Sequence, residues 1–188
     1  EFQMEAYFAQ DFISREALET KDLEDFWYRG CYKKLTSFEI NALKDSDVQL
    51  DENSRIVFVG SGPLPLTAID FYLQTGAKIS CVDNDPDAIA QSKEMVRKLG
   101  LEDKIDFTCA DGADFDMANA DLVFIASLVS NKDKMIQKVR ASSPHAVIGV
   151  RSVEDLNVLL YDPVEPEDVT KFDYHFIAKS EQRPDTIN

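Results

Sequence analysis

From Arg55 onward, short β-branched runs alternate with stretches of helical periodicity, and no other feature of this sequence constrains its fold as tightly. The runs that read as strands are Ile56–Val59, Lys78–Val82, Ile105–Thr108, Leu122–Ala126 and Val147–Arg151. Helical stretches lie between them at about Leu66–Thr75, Pro86–Leu99 and Lys132–Ala141. A strand, a helix and a second strand in series form a βαβ unit, whose strands pair in parallel. The sequence therefore predicts an α/β, Rossmann-like sheet with helices on both faces. Helix ends are marked by chemistry: Asp85 is placed to cap the second helix, with Pro86 at its first position. Gly76 and Gly100 stop the first two helices as residues free to adopt positive φ.

Ahead of this pattern, residues 2–20 carry Met4, Phe8 and Phe12 at steps of four. Residues 22–43 carry Leu23, Phe26, Trp27, Cys31, Leu35, Phe38 and Ala42 at helical spacing, so two amphipathic helices are predicted. Gly30 falls inside the second and is expected to loosen or kink it, at about 1 kcal/mol relative to Ala. The polar stretch 44–54 reads as a connection. The predicted organisation is a helical segment over 1–50, the end of a larger helical region or lid, followed by a ligand-binding domain over 51–188. The tail adds a predicted helix near Asp155–Leu160 and an alternating strand, Phe172–Ala178. Glu1 is not an initiator, and Asn188 falls where another strand could start, which reads as a piece trimmed at both ends.

Composition narrows the function. The 188 residues, 44% apolar, suffice for one buried core. A formal net charge of −15, from 35 acidic against 20 basic residues, repels phosphate polyanions and disfavours nucleic-acid partners. Cys31, Cys81 and Cys109 form no C-x-x-C pair, and the last two fall in segments that read as buried strands, so a reduced cytoplasmic protein is expected. Apolar runs such as Val123–Val129 are far shorter than a membrane helix requires, and no signal-peptide pattern opens the sequence. The histidines, His145 and His175, have no Cys or His at ligand spacing, so no protein-bound metal is expected.

In open α/β sheets, ligands bind outside the carboxyl ends of the strands, where strand order reverses. Here the first strand leads into Gly60-Ser61-Gly62-Pro63-Leu64-Pro65-Leu66-Thr67. A dinucleotide site needs free N–H groups for a pyrophosphate and a third glycine for close helix packing. Pro63 and Pro65 have no N–H, and no third glycine follows, which argues against NAD and nucleotide phosphates. S-adenosylmethionine carries no phosphate and loses nothing by their absence. Its ribose calls for an acid at the end of the second strand, about 20 residues on, and Asp83 stands there. Asp111, after the third strand, is placed to meet the adenine; a plain Asp-Gly turn is the bland alternative. Ser61 lacks the G-x-S-x-G frame of a hydrolase elbow, because Val59 stands where the first glycine belongs.

The glycine turn, with its Pro-Leu-Pro run, resembles that of the nicotianamine synthases. The likeness continues through Asp121–Val129, Arg151-Ser152 and Leu160–Val164, and upstream through the aromatic segment Phe26–Leu35. The resemblance implies a methyltransferase-type fold in which the aminobutanoyl group of S-adenosylmethionine passes to an amine and 5′-methylthioadenosine departs, in the synthesis of nicotianamine-like metallophores. It implies cofactor contacts at Gly60, Ser61, Gly62, Pro63, Asp83, Asp111 and Ala126. Family residues carry over to Tyr32, and to Glu5 on the preceding helix. The sequence departs from the plant pattern at Arg29-Gly30-Cys31, where Tyr-Asn-Asn stand.

An attacking amine must be neutral, yet a free α-amino group has a pKa near ~8. A carboxylate can orient the ammonium and take its proton, the role expected of Glu5, with Tyr32 hydrogen-bonding beside it. Arg151, at the end of the fifth strand, is a candidate clamp for a substrate carboxylate; a surface ion pair is the alternative. The expected partner is a small amine or amino acid, with no nucleic acid or membrane, and a homodimer is left open. An ordinary small-molecule methyltransferase and a binding protein without turnover are the competing readings.

Overall fold

The computed structural model describes residues 2–152 and residue 164. Its strands are β1 (Arg55–Val59), β2 (Lys78–Asp83), β3 (Ile105–Cys109), β4 (Leu122–Ile125) and β5 (Val147–Val150). All pair in parallel, in the order β3-β2-β1-β4-β5. The helices are α1 (Phe2–Ser14), α2 (Arg29–Asp45), α3 (Leu66–Thr75), α4 (Pro86–Lys98) and α5 (Lys132–Ser142). The predicted strands and the three later helices thus form within a residue or so of their expected limits. The predicted tail elements lie outside the described residues.

Side chains alternate across the sheet, as strand geometry requires. Ile56 and Phe58 of β1, with Leu122 and Phe124 of β4, join a core shared with α1 to α4. Val57, Val59, Val123 and Ile125 face the other way, against Met135, Ile136 and Val139 of α5. Gly149 of β5 has a steric reason: a Cβ there would stand 2.5 Å from Phe124 Cε2. Asp85 caps α4 as expected, accepting from Asp87 N at 2.8 Å and Ala88 N at 3.2 Å. Gly76 and Gly100 take positive φ, at 75° and 69°.

The amino-terminal helices differ from expectation. α1 stops at Ser14, and the supposed second helix divides into a 3₁₀ turn, Thr20–Asp25, and α2 from Arg29. Leu23 and Phe26 are both 0% exposed, and their i,i+3 spacing suits a 3₁₀ turn as well as an α-helix. Phe26 itself takes extended backbone, which ends the turn. Asp22 accepts from Glu19 N at 2.8 Å and fixes where the turn starts. Gly30 is therefore the second residue of α2 rather than an interior kink. Trp27 and Phe38, read as part of an apolar face, are exposed. These helices do not stand apart: α1 packs on α4 and α2 on α3, within one continuous core.

Cys81 is buried as expected, but Cys109 is exposed, because it ends an edge strand. Burial pushes the Cys81 thiol well above its ordinary range. Alkylation of the native protein should label Cys109 at least about tenfold faster than Cys81, as peptide mass mapping would reveal. Equal rates would mean that the sheet opens readily. Among the described residues no helix is long and apolar enough to cross a membrane.

Candidate active site

Strand order reverses between β1 and β4, and a cleft of about 470 Å³ opens at their carboxyl ends. That volume falls within the roughly 300–1,000 Å³ of small-molecule sites. The glycine turn forms its floor, Asp83 and Asp111 one wall, and the loop from Ala126 to Asn131 the other. Glu5, Tyr32 and Arg151 also line it. Of the site residues expected from the sequence, all but Pro63 thus border one cavity; Pro63 is buried within the turn, and its neighbours Leu64 and Pro65 line the cleft in its place.

The turn is built from backbone geometry and pinned on both sides. Gly60 and Gly62 take φ of 79° and 65°, a region that penalises a side chain. A Cβ on Gly60 would also stand 2.6 Å from Val129 Cγ2. Gly60 N and Ser61 N donate to Val82 O at 2.8 and 3.4 Å, and Gly62 N donates to Asp83 Oδ2 at 2.8 Å. With these N–H groups spent and none on Pro63 or Pro65, the turn is ill suited to a pyrophosphate. Ser92 of α4 donates to Gly62 O at 2.7 Å, a contact no sequence pattern announced. Asp83 is held further by Asp85 N at 3.0 Å. Asp111 accepts from Ala113 N at 2.8 Å, so it makes the local turn bond foreseen as its bland alternative while still lining the cleft.

Glu5 is not a solvated acid. It lies on the buried face of α1, in step with Ala9 and Phe12, and is only 9% exposed. The Tyr32 hydroxyl, from α2, donates to Glu5 Oε1. Glu5 Oε2 reaches across the turn so closely that a Cβ on Gly62 would stand 3.1 Å from it. Phe26 and Tyr28 pack their rings at 5.9 and 6.1 Å from the Tyr32 ring, fixing its direction. The two residues, far apart in sequence, thus meet over the middle of the floor.

Arg151 is buried more deeply than a surface ion pair. Its Nε and Nη2 donate to Glu39 Oε1 and Oε2 at 2.9 and 3.2 Å, and Nη2 donates to Thr67 Oγ1 at 3.0 Å. The guanidinium carbon sits 5.4 Å from the centre of the Phe124 ring. Burial pushes the Glu39 carboxyl upward against the pull of Arg151. Glu39 passed unnoticed in the sequence, since one more acid on a charged helix gives no signal. So did Lys132, which is 3% exposed and whose ammonium donates to Ser127 O and Val129 O, shaping the loop after β4. Among the described residues no cluster of three His, Cys, Asp or Glu side chains is arranged to hold a metal.

The family profile described as "Nicotianamine synthase protein" matches residues 1–188. The chain belongs to the nicotianamine synthase family. Among its relatives, the L-histidine 2-aminobutanoyltransferase of Pseudomonas aeruginosa (strain UCBPP-PA14) is 31% identical over 122 residues, 64% of this chain and 46% of that protein. The nicotianamine synthase of Solanum lycopersicum is 29% identical over 187 residues, 90% of this chain and 56% of that one. The chain spans about half the length of such relatives. A point mutant of MtNAS, crystallised in complex with S-adenosylmethionine, superposes with a TM-score of 0.76 at 24% identity, over 90% of this chain and 63% of that one. The methyltransferase-type sheet with its amino-terminal helix is therefore the fold of the family.

Proposed function

We propose that this chain moves the 3-amino-3-carboxypropyl group of S-adenosylmethionine to the amine of a small amino-acid-type acceptor, in nicotianamine-like metallophore synthesis. The observation that carries this reading is the buried Glu5–Tyr32 pair over a turn whose N–H groups leave little for a phosphate. The relatives named as aminobutanoyltransferases and nicotianamine synthases support it.

In the step proposed, the neutral acceptor nitrogen attacks the aminobutanoyl carbon attached to sulfur. A C–N bond forms, the C–S bond breaks, and its electron pair returns to sulfur, leaving neutral 5′-methylthioadenosine. The proton lost by the nitrogen passes to Glu5, and the Tyr32 hydroxyl keeps that carboxylate in place. All three carbons on a sulfonium are electrophilic, so position alone selects one: the nucleophile must lie about 3–3.5 Å away and in line with the leaving sulfur. Carboxylates at Asp83 and Asp111 along the cleft complement the cationic sulfonium.

Asp83 is assigned to the ribose hydroxyls, Asp111 to the adenine, and Gly60, Ser61, Gly62 and Ala126 to the remaining surface of the nucleoside, with Pro63 shaping the turn from within. Arg151 is assigned to the acceptor carboxylate, which would share its guanidinium with Glu39. Residues 1–50 act as the cover and 51–188 as the cofactor domain. A cytoplasmic location fits the presence of Cys31, Cys81 and Cys109 as thiols rather than disulfides, and the net charge of −15 gives no footprint for nucleic acid.

Incubation with S-adenosylmethionine and a panel of amino acids tests the reading, with the released nucleoside identified by chromatography. Methylthioadenosine is the expected product. S-adenosylhomocysteine would mean methyl transfer, and neither compound a binding protein. Asp83→Ala removes charge-assisted hydrogen bonds of about 1.5–3 kcal/mol. Calorimetry should therefore find S-adenosylmethionine bound roughly 10–100-fold more weakly.

A further inference from the structure

Helix α2 begins with a buried ion pair that the chemistry above does not use. Arg29 donates from Nη1 to Asp70 Oδ2 at 2.6 Å and from Nη2 to Asp70 Oδ1. Their side chains are 4% and 5% exposed. Arg29 Nε has no hydrogen-bond partner and lies 3.8 Å from Glu24 Oε1. Removing two charges from water costs several kcal/mol per ion, and well-packed apolar residues of similar volume usually serve stability as well or better. What a bidentate pair supplies that apolar packing does not is one discrete geometry.

That geometry sits where the site needs it. Asp70 belongs to α3, the helix that leaves the glycine turn; Arg29 is the first residue of α2, and Tyr32 follows on the next turn of the same helix. The rings around Tyr32 would tolerate a small slide of α2 along α3, since apolar attraction is non-directional. A two-toothed fork would not. Arg29 also marks the start of the Arg29-Gly30-Cys31 departure from the plant pattern, and it is engaged with α3 rather than placed along the cleft.

We propose that Arg29 and Asp70 are a positioning pair, setting the register of α2 on α3 so that the Tyr32 hydroxyl holds Glu5 over Gly62. The inference rests on the transfer reading for its kinetic consequence, but not for its geometric one.

The test is the double variant Arg29→Met/Asp70→Leu in the full chain, which removes both charges and orphans neither. S-adenosylmethionine binding by calorimetry and the apparent KM should stay within about threefold, while kcat for methylthioadenosine release falls about 100-fold, the cost of roughly an ångström of misplacement. Arg29→Lys, which keeps the charge and loses the fork, should fall about tenfold in kcat with KM unchanged, and it serves if the double variant does not fold. Wild-type kcat in either folded variant overturns the pairing role. If the unaltered chain releases no methylthioadenosine, the transfer reading fails, and a crystal structure of whichever variant folds decides the pair. Tyr32 Oη parted from Glu5 supports it, and an intact hydrogen bond overturns it.

Discussion

Glu5→Gln is expected to slow methylthioadenosine release by about 10²–10⁴-fold, the contribution typical of a positioned general base. The substitution preserves shape, and the amide oxygen can still accept from Tyr32, so the hydrogen bond over Gly62 survives. Basicity alone is lost. An acceptor amine with a pKa near ~8 arrives largely protonated, and without the carboxylate it has no nearby base to free its lone pair. Under the proposed role Glu5 meets the acceptor rather than the nucleoside, so affinity for S-adenosylmethionine should stay within about threefold. Tyr32→Phe removes the donor but leaves the carboxylate, and a smaller loss of about 10–100-fold is expected from misorientation. Single-turnover kinetics, with the nucleoside quantified and binding measured separately by calorimetry, would check both variants. Full turnover in both would remove these residues from the mechanism.

Asp70→Ala alone should have the largest effect on stability. It strands a guanidinium that is 4% exposed, and breaking one side of a buried pair costs about 3–5 kcal/mol. For a chain of this size that corresponds to a fall in Tm of roughly 6–20 °C. The double variant Arg29→Met/Asp70→Leu should melt much closer to the unaltered protein, because nothing charged is left without a partner. Differential scanning calorimetry on the three proteins would settle the comparison. A single variant that melts with the parent would mean that water reaches Arg29 as soon as Asp70 is gone.

The parallel sheet was legible because Arg55–Val150 alternates β-branched runs with helical periodicity, with a helix start written in Asp85 and Pro86 and helix stops in Gly76 and Gly100. The floor of the cleft was legible for the same reason: a turn this tight demands Gly60 and Gly62. Less could be read near the amino terminus. Leu23 and Phe26 satisfy a 3₁₀ turn and an α-helix equally, so their spacing could not reveal the break before Arg29. Nor could burial of Glu5 be derived from periodicity, since an acid on a helix belongs by default on the wet face. The Arg29–Asp70 and Arg151–Glu39 pairs join residues distant in sequence, and a lone charge on a helix gives no hint of its partner. Cys109 was misjudged because a strand's place at the edge of a sheet is a property of topology rather than of local pattern.

The continuous core that binds α1 and α2 to one face of the sheet also divides the labour of the cleft. The carboxyl ends of the strands and the loops that follow them hold Gly60, Asp83 and Asp111, whereas Glu5 and Tyr32 arrive on helices laid over them. Under the proposed roles, the first stretch of polypeptide chooses the incoming nucleophile and the remainder chooses the donor. Evolution could then exchange one amine for another by recutting two helices, leaving the nucleoside cradle as it stands.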